Sequence, residues 1–76
     1  MSPRLPACTA RQVLAALQKA GWYVHRSSGS HHILRHPDKP DLRVTLAMHT
    51  RDIPRPTLQL ILRQAGLSPE EFNELL

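Results

Sequence analysis

Between Arg26 and His36 the chain reads R-S-S-G-S-H-H-I-L-R-H. Two arginines bracket a Gly-Ser turn and a pair of histidines at the mouth of an apolar run. Histidine changes charge near neutral pH, and arginine pairs with phosphate. Acid–base work on an anionic substrate is the chemistry such a stretch suggests. The same residues also suit an ordinary polar hairpin, so the surrounding elements have to discriminate.

The whole chain is 76 residues long, enough for one domain, 1–76, with a modest core. It has no apolar run of about eighteen residues that would span a membrane, and its first residues lack a secretory leader. Cys8 stands alone, so no internal disulfide forms, in keeping with a reducing cytoplasm. Ten basic residues face six acids, and eight of the ten are arginine. Three of the acids, Glu70, Glu71 and Glu74, fall in the last seven residues, so residues 1–69 carry a net +7 with neutral histidines. All five histidines lie between His25 and His49. Such a chain attracts polyanions, and the arginine bias favours phosphate over a membrane surface.

The elements that must position these groups are legible from pattern. Met1 to Ala7, with two prolines and no periodicity, reads as an extended lead-in. Thr9 and Gln12 form a capping box for a first helix, with Ala10, Val13, Leu14 and Leu17 at helical spacing and Gly21 as its stop. Three strands are expected at Trp22–Arg26, His31–Arg35 and Leu42–Leu46. Ser27 to Gly29 is the first turn, and a proline-bounded loop from His36 to Pro40 is the second. In the third strand Leu42, Val44 and Leu46 share one face, and Arg43 and Thr45 the other. In the second, Arg35 fixes the phase: His31, Ile33 and Arg35 face outward, while His32 and Leu34 face the core. Trp22 shares the Val24 face and belongs to the core, which leaves Tyr23 as the aromatic available for base stacking. Ala47 to Pro56 is a loop. Thr57 is expected to cap a second helix with an apolar stripe of Leu58, Ile61, Leu62 and Ala65, stopped by Gly66. Ser68-Pro69-Glu70-Glu71 starts a short third helix that carries Phe72, Leu75 and Leu76. The fold class is α+β: an α-β-β-β-α order, a three-stranded antiparallel sheet with helices on one face, and a short C-terminal helix.

Taken in order, these pieces resemble the HicA, or YcfA-like, toxins of bacterial type II toxin–antitoxin systems. The likeness runs from about Arg11 to Phe72. It comprises Ala20-Gly21-Trp22, then Arg26-Ser27-Ser28-Gly29-Ser30-His31, then His32 through Arg35-His36-Pro37. His49 follows the third strand. Thr57-Leu58, Gln64 to Ser68 and Glu71-Phe72 complete it. The chain departs from the family pattern at Pro56, where the family usually has Gly, and at Leu46-Ala47, where Val-Pro is common. Both departures bear on the loop around His49.

The resemblance implies a fold like that of double-stranded-RNA-binding domains and an endoribonuclease that cuts mRNA and arrests growth. It implies a cytoplasmic partner, a HicB-type antitoxin that masks the active site. The family's key histidine falls on His31, which the strand alternation had independently placed outward. RNA carries its own nucleophile, the 2′-hydroxyl, so a histidine base and a stabilised phosphate suffice. The RNA-binding candidates are Arg26, Gly29, Ser30, Arg35, Arg43 and His49. The arginines meet phosphate, Gly29 permits close backbone approach, and Ser30 donates a hydrogen bond. A second acid would be His49, His25, His36 or water. No metal or other cofactor is called for by this scheme, and no recognised ligand spacing is present. Two rivals differ in kind: a double-stranded-RNA-binding module that cuts nothing, and an inactive domain that only docks an antitoxin.

Overall fold

A computed structural model describes residues 5–76. The first four residues of the expected lead-in lie outside that range, and the next, Leu5, is buried. The elements run α1 (Ala10–Lys19), β1 (Tyr23–Ser28), β2 (His31–His36), β3 (Lys39–Ala47), α2 (Arg55–Ala65) and α3 (Pro69–Leu75). The strands form one antiparallel sheet in the order β1-β2-β3. With the helices on one face, this is the α-β-β-β-α arrangement of double-stranded-RNA-binding domains.

Local chemistry sets most boundaries. Thr9 and Gln12 close the capping box of α1, and Ser68 and Glu71 close that of α3. The Ser68 amide, then its hydroxyl, hold the Glu71 carboxyl below the ordinary carboxylate range. That cap is therefore complete at neutral pH and weakens as pH falls through the depressed value. α2 begins earlier than its sequence suggested. Its N-cap is Pro54, with no side-chain bond, and Thr57 lies inside the first turn instead of capping it. Prolines 54 and 56 explain the shift: their fixed φ is helix-compatible, and at a helix start the missing amide of Pro56 costs nothing. Gly66 then ends α2 in the left-handed region, at φ 69°.

The core is built from Leu34, Val44 and Leu46 of the sheet, Val13, Ala16 and Leu17 of α1, Leu58, Ile61 and Leu62 of α2, and Phe72 of α3. Each large side chain of this set contributes about 1.5–3 kcal/mol through burial. Phe72 is completely enclosed and Leu75 packs partly on the core, whereas Leu76 is half exposed. Among the described residues no helix is long and apolar enough to cross a membrane.

His36 departs from the loop expected of it. It is the last residue of β2, and its side chain is buried. Nδ1 accepts from the Asp38 amide at 3.1 Å, so Nε2 carries the proton and donates to the Ala20 carbonyl at 2.8 Å. Its ring meets Trp22 edge-on, with centroids 5.4 Å apart. Beside it, Gly21 turns the chain from α1 into the sheet at φ 98°, and a Cβ there would sit 2.6 Å from Nε2 of His36. This contact pins the end of α1 to the far end of β2.

Candidate active site at the sheet edge

The outward face of the sheet is set by register. Along β2, His31 is exposed, with Ile33 and Arg35 half-buried on the same side, while Leu34 and His36 point inward. Arg43 and Thr45 of β3 are likewise exposed between buried Val44 and Leu46. β1 does not keep simple alternation. Val24 lies opposite Leu34 but Arg26 lies opposite Ile33, so His25 is an extra, bulged residue. Without the bulge Arg26 would share the Trp22 and Val24 face. With it, Arg26 joins Tyr23 outward, and both are exposed. A warning was present in the sequence, since strict alternation from Trp22 through Val24 directs an arginine toward the core.

The bulge also decides which of the sheet arginines lies nearest His31. Ser28 pairs with His31, so Arg26 is the diagonal neighbour of His31, at about 7–8 Å. Arg35 lies two residue pairs along β2, roughly 13 Å away at strand rise, and spends one donor on the Pro40 carbonyl at 3.1 Å. Arg43 stands near that same end of the sheet.

His31 is held by two backbone features. Gly29 and Ser30 form a two-residue turn, because Ser28 and His31 are already paired. Gly29 has φ 58° and Ser30 does not share a positive φ, the pattern of a type II′ hairpin. A Cβ on Gly29 would meet nothing, so the turn demands its backbone conformation and not the space. On the other side, the Met48 amide donates to the Ser30 carbonyl at 2.7 Å. The next pair, His31 with Ala47, is therefore a non-hydrogen-bonded one, in which side chains lie closest. The small methyl of Ala47 lets the imidazole reach past β3.

Past β3 lies a cavity of about 650 Å³ between the strand edge, the 49–54 loop and the first turn of α2. His31 and His49 both line it, with Arg51 and Asp52 from the loop and Thr57 from α2. The loop is anchored: the Ile53 amide donates to the Cys8 carbonyl at 2.7 Å, and Asp52 bridges to Thr9. Residues distant in sequence thus share one wall. The HicA toxin family of bacterial toxin–antitoxin systems matches this chain over residues 10–67. The chain belongs to that family. No curated protein matches it.

The family match takes in the whole sheet, the cavity and α2, and ends before α3. In this HicA-family chain the five histidines separate by environment. His31 and His49 are exposed on one cavity. His25 is the bulge and does not line it. His32 faces inward, half-buried, with Nδ1 enclosed and unpartnered. Both ring nitrogens of His36 are engaged by backbone, which gives it a structural role. Among the described residues no cluster of three or more metal-ligating side chains forms. Cys8 is buried, and burial followed by the nearby Asp52 charge pushes its thiol pKa up, away from the reactive thiolate.

Proposed function

We propose that this HicA-family chain is an endoribonuclease that cuts mRNA by 2′-hydroxyl attack on the adjacent phosphorus. His31 takes the 2′ proton as the 2′-oxygen bonds to phosphorus. His49 returns a proton to the departing 5′-oxygen as its bond to phosphorus breaks. The products are a 2′,3′-cyclic phosphate end and a free 5′-hydroxyl end. Arg26 and Arg51 offset the charge that builds on the phosphorane, and Arg35 and Arg43 hold the strand farther along the face. The observation that carries this reading is the shared cavity of His31 and His49, two histidines 18 positions apart in sequence with an arginine on the same wall. A HicB-type antitoxin neutralises the chain by covering His31.

A strand of DNA containing one ribonucleotide tests the chemistry. Purified protein should cut only on the 3′ side of that ribose and leave a cyclic phosphate, while the all-deoxy strand stays whole. Equal cutting of both strands would refute 2′-hydroxyl attack. Binding without cutting would favour the non-catalytic RNA-binding reading. The arginines have a separate signature. Arg26→Ala should weaken RNA binding across sequences and reduce the slope of log affinity against log salt by about one, checked by titration at several ionic strengths.

A further inference from the structure

We propose that the cavity beside His31 is a base-recognition subsite. It holds the base of the nucleotide whose 2′-hydroxyl attacks, and Asp52 selects guanine there. The proposal rests on the ribonuclease reading and extends it to specificity. If His31 removes the 2′ proton, the base nearest to it is the one on the adjacent ribose carbon of the same nucleotide. The nearest concavity is the one His31 itself lines, and its size suits a single base with room for solvent. Its lining is largely apolar: half-buried Ala47 and Ile53 and exposed Pro54 offer surface to the faces of a ring, with Leu46 and Ile61 buried in the same lining.

Asp52 is the feature that phosphate binding leaves unexplained. Among the described residues it is the only acid lining the cavity, in a stretch of 69 residues that holds just three acids. A carboxylate repels a phosphate, so its presence beside a cationic, anion-seeking site calls for a different partner. An ionised carboxylate only accepts hydrogen bonds. Guanine offers N1–H and the N2 amino group side by side, a bidentate match. Uracil offers one N–H flanked by two carbonyls, which the carboxylate repels. The backbone bridge to Thr9 and the Ile53–Cys8 hydrogen bond hold the main chain of Asp52 beside the cavity, so the reach of its carboxylate is bounded before RNA arrives.

The test uses four DNA strands, each with a single ribonucleotide (G, A, C or U), and two free probes, guanosine 3′-monophosphate and uridine 3′-monophosphate. The full chain should cut after ribo-G at least about tenfold faster than after ribo-U, the size of one bidentate base contact. Asp52→Asn and Asp52→Ala should bring the rates together, with the ribo-G rate falling and the ribo-U rate holding or rising as the repulsion is removed, while the melting temperature stays put. The guanosine probe should bind more tightly than the uridine one and shift the NMR signals of the Ile53 methyls, in an Asp52-dependent way. Rates within twofold for all four strands, or an equal fall in all four on Asp52→Ala, would overturn the subsite. If no strand is cut but the guanosine probe binds through Asp52, the base site stands and the nuclease reading falls. If neither probe binds, the subsite is overturned whatever the cutting shows.

Discussion

Exchange of His31 for alanine is expected to free cells from growth arrest on induction and to slow RNA cleavage by about 10²–10⁴-fold. The loss should be purely chemical. His31 is exposed at the start of β2, and its ring makes no hydrogen bond within the described residues, so the melting temperature should scarcely move. Total RNA from induced cells reads the effect directly: fragments with the parent chain, intact message with the variant. Equal arrest from both proteins would place the activity on another residue. No arrest from either, with soluble protein confirmed, would leave a domain that only docks its antitoxin. His49→Ala supplies the second half of the assignment. A general acid lost from a two-histidine mechanism removes one limb of a bell-shaped pH–rate profile, whereas loss of a phosphate contact lowers the whole curve without changing its form.

The largest structural effect is expected far from that chemistry, at Gly21→Ala. Its φ of 98° lies where an L side chain is strained, and the added methyl would press into the His36 ring at 2.6 Å. Displacing the ring leaves the Ala20 carbonyl and the Asp38 amide without their partner. Strain of about 1–3 kcal/mol and a buried hydrogen-bond loss of similar size together predict a loss of about 3–4 kcal/mol. In a domain this small that is roughly 15 °C or more in melting temperature. A double-mutant cycle with His36→Ala isolates the contact. Removing the ring relieves the collision but not the backbone strain, so the double variant should lose less than the two single losses combined. Strict additivity would show that the two residues do not communicate.

Elements whose signals are local were the ones legible in the sequence. The boxes at Thr9–Gln12 and Ser68–Glu71, and the alternation Leu42-Arg43-Val44-Thr45-Leu46, each follow from adjacent residues alone and recur in the structure. The outward phase of His31 followed from Arg35 in the same way. Features that depend on a distant neighbour were not legible. His36, followed by proline, reads as loop, because the Ala20 carbonyl and Trp22 that receive it lie in the distant turn between α1 and β1. The start of α2 was missed because Thr57 advertises a cap while Pro54 and Pro56 set the backbone. The meeting of His31 with His49, Arg51 and Asp52 joins β2 to a loop tied down by the Thr9–Asp52 bridge, which no periodicity reveals.

The exposure of β1 carries a consequence for how this chain grips a ligand. All six residues of that strand are exposed, and its substantial packing is against β2 alone. Opening the β1 hairpin therefore sacrifices one ladder and the partly covered sides of Tyr23 and Val24 but no fully buried side chain of the strand, so its local free energy lies below that of global unfolding. Yet β1 contributes Arg26, and its turn leads straight into His31. Any strand of RNA that spans β1 and β2 must hold this hairpin closed, and by mass action it tightens the least protected part of the fold. On the proposed function, substrate would thus add rigidity to the surface that receives it, and the hairpin is where binding should raise amide-exchange protection most.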